Sequence, residues 1–261
     1  MKKGKNGKKI VIANWKMNPA SLKEAEKLLA SVSKDIPRLK KTEVVICSPS
    51  LYLEKLKKIT KKINIGAQNA FFGEVGPFTG EISNRMLFNM GIKYVILGHS
   101  ERRALGEENA DINKKIKSAL SGGLTPIVCV GDKERDENHE YSNFVKNQVE
   151  ECLNGVNKDL ISKIIIAYEP VWALSTTEGR KDATSADSHE MNIFIKKILS
   201  DKFGINRELP RIIYGGSVND RNILDFMTNG GIDGVLVGGA SLDPKKFLEI
   251  ISITENIREI N

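Results

Sequence analysis

Short runs of β-branched and other apolar residues recur along the chain, separated by longer stretches whose apolar positions fall at helical spacing. The runs are Ile10–Ala13, Val44–Cys47, Ile63–Ala67, Tyr94–Leu97, Pro126–Val130, Lys163–Ala167, Arg211–Tyr214 and Gly234–Val237. Between them, sets such as Leu22, Ala25, Leu28, Leu29 and Val32, or Ile112, Ile116 and Ala119–Leu120, mark one face of a helix. Apolar strands that alternate with helices indicate βαβ units and a parallel sheet buried on both faces. Eight such units predict a closed (β/α)₈ barrel, one α/β domain over residues 10–261, with function on the loops that follow the strands. An open doubly wound sheet is the structural alternative. Its GxGxxG fingerprint is absent, because the first strand runs into Asn14-Trp15-Lys16-Met17-Asn18. Gly204 to Pro210 reads as a long loop.

Length and composition narrow the picture. A chain of 261 residues with 40% apolar content suits a single barrel with a substantial core. The net charge of +7 invites a nucleic-acid reading, but Lys2, Lys3, Lys5, Lys8 and Lys9 crowd into the first nine residues without an acid. The remaining body is nearly balanced, so residues 1–9 are expected to be a flexible basic tail rather than a nucleic-acid interface. Ile10-Val11-Ile12-Ala13 is too short for a signal sequence or a membrane span. Cys47, Cys129 and Cys152 show neither a disulfide framework nor a metal-ligand spacing, which points to a reducing, cytoplasmic setting. His139 and His189 read as surface residues; His99 does not.

The chemistry gathers at the strand ends. Tyr168-Glu169-Pro170-Val171-Trp172 puts a carboxylate where an apolar strand emerges, a setting that suits a general base. Alone, such a Glu-Pro would read as a surface cap, but other strands end in equally specific groups. Strand one supplies Asn14 and Lys16, and strand four His99, Ser100 and Glu101. Strands seven and eight end in Gly215-Gly216-Ser217 and Gly238-Gly239-Ala240-Ser241. On a barrel these converge on one mouth. The two glycine pairs lie on the loops where barrels of this kind hold phosphate. The expected ligand is a small phosphorylated molecule facing a base, a histidine and a lysine.

These segments resemble the triosephosphate isomerase family over nearly the whole chain. The resemblance is carried by Asn14-Trp15-Lys16-Met17-Asn18, Gly66-Ala67-Gln68-Asn69, Phe78-Thr79-Gly80-Glu81 and Leu97-Gly98-His99-Ser100-Glu101-Arg102-Arg103. It continues in Tyr168-Glu169-Pro170-Val171-Trp172-Ala173, Tyr214-Gly215-Gly216-Ser217-Val218 and Leu236-Val237-Gly238-Gly239-Ala240-Ser241-Leu242. It implies a TIM barrel that interconverts dihydroxyacetone phosphate and glyceraldehyde 3-phosphate in central carbon metabolism, with no cofactor and no metal. By position Glu169 is the base and His99 the electrophile, with Lys16 and Asn14 supporting the developing enediolate. Ser100-Glu101-Arg102-Arg103 follows His99 as a helix start would, and a helix N-terminus disfavours imidazolium. Ser175, Ser217, Gly238 and Gly239 are implied to hold the phosphate, with Glu101, Trp172 and Tyr214 in support. The family's dimerising loop maps to residues 66–81, so a homodimer is implied. There Thr79 would reach the partner copy, and Glu81 and Arg102 would form an ion pair.

The lid departs from the family. Leu174-Ser175-Thr176-Thr177-Glu178-Gly179-Arg180-Lys181-Asp182-Ala183 is about three residues longer than the usual segment, with the insertion near Glu178–Arg180. Asp132 stands where a Glu is usual, and the loop after Arg103 is one residue short. Cys129 is implied to pack behind Glu169. A catalytically silent phosphate-binding relative, and an isomerase or lyase for a larger phosphorylated sugar, are the competing functional classes. The Asn14, Lys16, His99 and Glu169 set argues against the first, since a binding module needs no base.

Overall fold

A computed structural model describes residues 8–135, 138, 140–174, 177, 179 and 181–257. Strands and helices alternate as β1 (Lys9–Asn14), α1 (Leu22–Asp35), β2 (Thr42–Ser48), α2 (Leu53–Ile59), β3 (Asn64–Ala67), α3 (Asn84–Asn89), β4 (Tyr94–Leu97), α4 (Ser100–Ala104) and α5 (Asn109–Ser121). They continue as β5 (Thr125–Val130), α6 (Glu140–Cys152), α7 (Lys158–Ile161), β6 (Ile165–Tyr168), α8 (Ser185–Phe203), β7 (Arg211–Tyr214), α9 (Ile223–Asn229), β8 (Gly234–Val237) and α10 (Pro244–Asn256). All neighbouring strands pair in parallel, and β8 returns to β1, closing the barrel in chain order. The fold is the (β/α)₈ barrel.

The doubly apolar strands follow from this closure. In β1, Ile10 and Ile12 point into the barrel, where they meet Val45, Ile96, Ile127 and Ile213. Val11 and Ala13, one residue out of phase, join the larger core between sheet and helices. The longer helices supply apolar stripes to that outer layer: Ala25, Leu29 and Val32 do so from α1, and Ile112, Ile116 and Ala119 from α5. The chemistry of the helix ends is local. Ser21 caps α1 by accepting from the Glu24 N–H, and Thr184 and Asp187 cap α8 reciprocally. Gly204 ends α8 in the left-handed region at φ 66°, opening the long loop to β7.

The barrel floor is polar and closed. Glu43 accepts from Tyr94 Oη and Asn64 Nδ2 and lies 3.1 Å from Arg211. Burial, helped by Glu43, pushes the Tyr94 hydroxyl up to about 12. Lys9, assigned to the tail by sequence, instead opens β1, and its Nζ donates to Ile232 O at 2.7 Å. The rest of the expected tail, apart from Lys8, lies outside the described residues, as does His139.

Closure between β1 and β8 demands glycine at 234, where a Cβ would stand 2.0 Å from Ile10 O. Gly234→Ala is expected to lower the unfolding free energy by about 2–3 kcal/mol through overpacking of the seam. Urea denaturation checks this; a wild-type midpoint would contradict it.

Candidate functional site

Backbone links align the carboxyl ends of the strands. Glu169 N donates to Val130 O at 2.8 Å, and Gly215 N donates to Tyr168 O at 2.7 Å, carrying the pairing of β5, β6 and β7 one step past the strands. Arg103 ties the end of β4 to β5, donating to Gly98 O and Cys129 O. Gly131 lets β5 pass against β6, since a Cβ there would lie 1.8 Å from Glu169 O. Gly98 turns the chain out of β4 at φ 70°, a conformation that side chains other than glycine rarely adopt.

That turn delivers His99 directly to the start of α4. Its ring is buried, and Nδ1 accepts the backbone N–H of Glu101 at 3.2 Å. A nitrogen that accepts carries no proton, so the proton of the neutral ring sits on Nε2. Nε2 faces Glu169 Oε1 at 3.2 Å. The other carboxylate oxygen, Oε2, accepts the Ser100 N–H at 3.0 Å, so Glu169 is held from both sides although only 2% exposed. Cys129 lies in the barrel interior beneath, its thiol driven well above its usual range by burial and by the charge of Glu169.

Lys16 approaches from β1. Its backbone is in the left-handed region at φ 52°, a conformation that costs about 1–3 kcal/mol outside glycine. Two side chains hold it there: Asn14 Oδ1 accepts the Lys16 N–H at 3.0 Å, and Gln68 Nε2 donates to Lys16 O at 2.8 Å. Lys16 Nζ lies 2.6 Å from Glu101 Oε1. Glu101 therefore serves twice, its backbone orienting His99 and its carboxylate fixing Lys16. The sequence places Ser100 at the end of strand four and Gln68 in a motif after strand three, but assigns neither a partner. Their signal is positional only, each standing at or just past a strand end.

A cavity of about 320 Å³ joins these groups to the glycine loops, with Asn14, Lys16, His99 and Glu169 on one side and Gly215, Gly216, Ser217, Gly238 and Gly239 on the other. Gly239 has open space where a Cβ would be, leaving its backbone bare to the cavity. At Gly216 a Cβ would stand 2.1 Å from Tyr214 Oη, so the tyrosine packs directly under that loop. Ser217 Oγ donates to Ala173 O at 2.9 Å, joining the loop after β7 to the entry of the lid. Ser175 lies outside the described residues. Among the described residues, no group of three or more His, Cys, Asp or Glu is arranged to hold a metal ion, and no helix is long and apolar enough to cross a membrane.

The lid entry is anchored on Asp132. Its carboxylate accepts Tyr168 Oη at 2.6 Å and Trp172 Nε1 at 2.8 Å, and Arg135 Nε stands 3.1 Å from Oδ2. Arg135 also reaches Glu190 and lies over the Tyr141 ring. Burial raises the Asp132 pKa above the usual carboxylate range, against the lowering effects of Tyr168, Arg135 and Trp172. The consequence for stability has an unusual sign. Ionisation of Asp132 costs stability as pH rises from the unfolded value, about 3.9, through the raised folded value, opposing the common acid-denaturation trend.

One expected pair is different. Arg102 Nε is 3.4 Å from Glu107 Oε1, and within one chain it makes no ion pair with Glu81. The Glu107 side chain is buried beside Lys115 on the chain just past α4, within easy reach of Arg102, whereas Glu81 and Thr79 are exposed in the segment between β3 and α3. A second cavity of about 390 Å³, lined by Asn14, Lys16, Gln68, Glu81, His99 and Arg102 among others, lies beside that segment.

Residues 9–254 match the family model described as triosephosphate isomerase. The chain is 44% identical to the triosephosphate isomerase of Dehalococcoides mccartyi strain CBDB1, over 246 residues that cover 92% of this chain and 94% of that protein. It is 45% identical, with the same coverage, to the triosephosphate isomerase of Dehalococcoides mccartyi strain ATCC BAA-2100 / JCM 16839 / KCTC 5957 / BAV1. The chain belongs to the triosephosphate isomerase family and is an isomerase.

Asp132→Asn keeps the shape but presents an amide where donors converge, and leaves Arg135 with one carboxylate partner, Glu190, in place of two. It is expected to cost about 3 kcal/mol of stability, the low end for loss of one member of a buried ion pair, because Arg135 is only partly buried. Chemical denaturation measures this, and an unchanged midpoint would show that the carboxylate does not anchor the segment.

Proposed function

We propose that this chain, a member of the triosephosphate isomerase family, interconverts dihydroxyacetone phosphate and D-glyceraldehyde 3-phosphate by proton transfer through an enediolate. The observation that carries the reading is the 3.2 Å approach of Glu169 Oε1 to a His99 Nε2 whose proton is fixed by the Glu101 N–H on the far side of the ring. A base and a neutral proton donor meet on one wall of a small cavity whose other wall is bare backbone suited to a phosphate.

In the proposed cycle the substrate carbonyl oxygen takes the place of Glu169 as partner of His99 Nε2–H. The freed carboxylate removes a proton from the carbon next to the carbonyl. The electron pair of that C–H bond forms the carbon–carbon double bond, and the carbonyl pair moves onto oxygen. The resulting oxyanion is met by His99 Nε2–H and by the Lys16 ammonium. His99 gives its Nε2 proton to that oxygen and recovers one from the neighbouring hydroxyl. Glu169 returns its proton to the adjacent carbon, so the enzyme ends as it began. Asn14 holds Lys16 in its costly backbone conformation, and Glu101 limits the wandering of the ammonium group. Ser217, Gly238 and Gly239 hold the phosphate in this reading, Ser175 completes it from the lid, and Trp172 and Tyr214 support the lid.

The proposal extends to a homodimer. Phe78, Val75 and Met17 are exposed on the face that carries Thr79 and Glu81, and the 390 Å³ cavity beside Lys16 suits a loop from a second copy. Arg102 and Glu81 would then meet across copies rather than within one. A cytoplasmic site of action in glycolysis and gluconeogenesis completes the reading, in keeping with three free, buried thiols.

Glu169→Gln removes the base and keeps the shape. In a coupled assay with glyceraldehyde 3-phosphate, kcat is expected to fall by about 10³-fold or more. Turnover close to wild type would rule out Glu169 as the base. Sedimentation at micromolar concentration is expected to give roughly twice the 29.0 kDa chain mass, and a monomeric mass would contradict the dimer.

A further inference from the structure

Four charged residues line the 320 Å³ cavity: Lys16, Glu169, Asp243 and Lys246. Three are already engaged. Lys16 is paired with Glu101 at 2.6 Å, and Glu169 is held by His99 and Ser100. Asp243 caps α10, accepting the backbone N–H groups of Lys245 and Lys246. Lys246 is exposed, projects from the first turn of α10 and makes no ion pair among the described residues. It stands at the glycine-loop side of the cavity, whereas Lys245, its neighbour on the same turn, does not line it.

We propose that Lys246 steers the phosphate dianion of the substrate into the site. The inference rests on the proposed reaction only for the identity of the dianion. A lone cation at the mouth acts on the approaching anion over several ångströms and never touches the reacting carbons. Its effect therefore belongs to association, and it weakens as salt shortens the screening length, about 10 Å at 0.1 M. Because Lys16 is partly neutralised by Glu101, and Glu169 itself repels an anion, Lys246 supplies the attraction that the inner site lacks.

The test compares Lys246→Ala, Lys246→Arg and Lys245→Ala with wild type, using glyceraldehyde 3-phosphate at low and high ionic strength. At about 0.01 M, Lys246→Ala is expected to lose roughly threefold in kcat/KM with kcat unchanged, and the loss should vanish by about 0.5 M. Lys246→Arg should restore the rate, and Lys245→Ala, which makes the same change in net charge, should not lower it. Equal behaviour of the two alanine variants, or a loss that ignores salt, would overturn the inference. If wild type shows no turnover, the reaction proposed above fails, and binding of inorganic phosphate decides this inference alone. A threefold weaker affinity at low salt in Lys246→Ala but not Lys245→Ala sustains it, and equal affinities overturn it.

Discussion

The hydrogen bond from the Glu101 N–H to His99 Nδ1 is the interaction on which the site depends. It exists because only Gly98 and His99 separate β4 from α4, and the glycine turns the chain easily at φ 70°. The bond settles which ring nitrogen carries the proton and aims that proton at Glu169. The first turn of α4 also supplies the Ser100 N–H that holds the other carboxylate oxygen, and the Glu101 carboxylate that holds Lys16. One short turn of helix thus arranges the Glu169 carboxylate, the His99 imidazole and the Lys16 ammonium. The barrel's role is to bring β1, β4 and β6 to a common rim so that one turn can reach all three.

Much of the fold was legible because a barrel strand is apolar on both faces, and such runs stand out from amphipathic helices. Tyr94–Leu97, Arg211–Tyr214 and Gly234–Val237 have the bounds read from sequence. The sequence pattern puts the β6 run early, at Lys163–Ala167 rather than Ile165–Tyr168, because Ile164 is buried against the helix layer and continues the apolar run. Lys9 reads as tail in the sequence because a charged residue at the barrel floor resembles solvent-facing sequence, although its amine donates to Ile232 O. Asn14, Lys16, His99 and Glu169 were legible as polar residues at strand ends, and the structure brings all four to one cavity.

What sequence could not supply was partnership. The pairing of Arg102 with Glu107 follows from the turn that ends α4, where the Glu107 N–H donates to Arg102 O at 3.1 Å. Asp132 appeared only as a shortened acid. In the structure it receives Tyr168, Trp172 and Arg135 from three directions, joining β6 to the entry of the lid. Arg135 is itself held between Glu190 and the Tyr141 ring. Lys246 escaped notice because its meaning depends on which face of α10 lines the cavity.

The proton position on His99 is the central claim, and nitrogen-detected NMR of the labelled imidazole at neutral pH tests it most directly. The account predicts a neutral ring with Nε2 protonated and Nδ1 bare, its Nδ1 coupled to the Glu101 amide. An imidazolium, or a ring protonated at Nδ1, would contradict it: the Glu101 bond would then be absent, and His99 could not present a proton donor opposite Glu169 in the manner described.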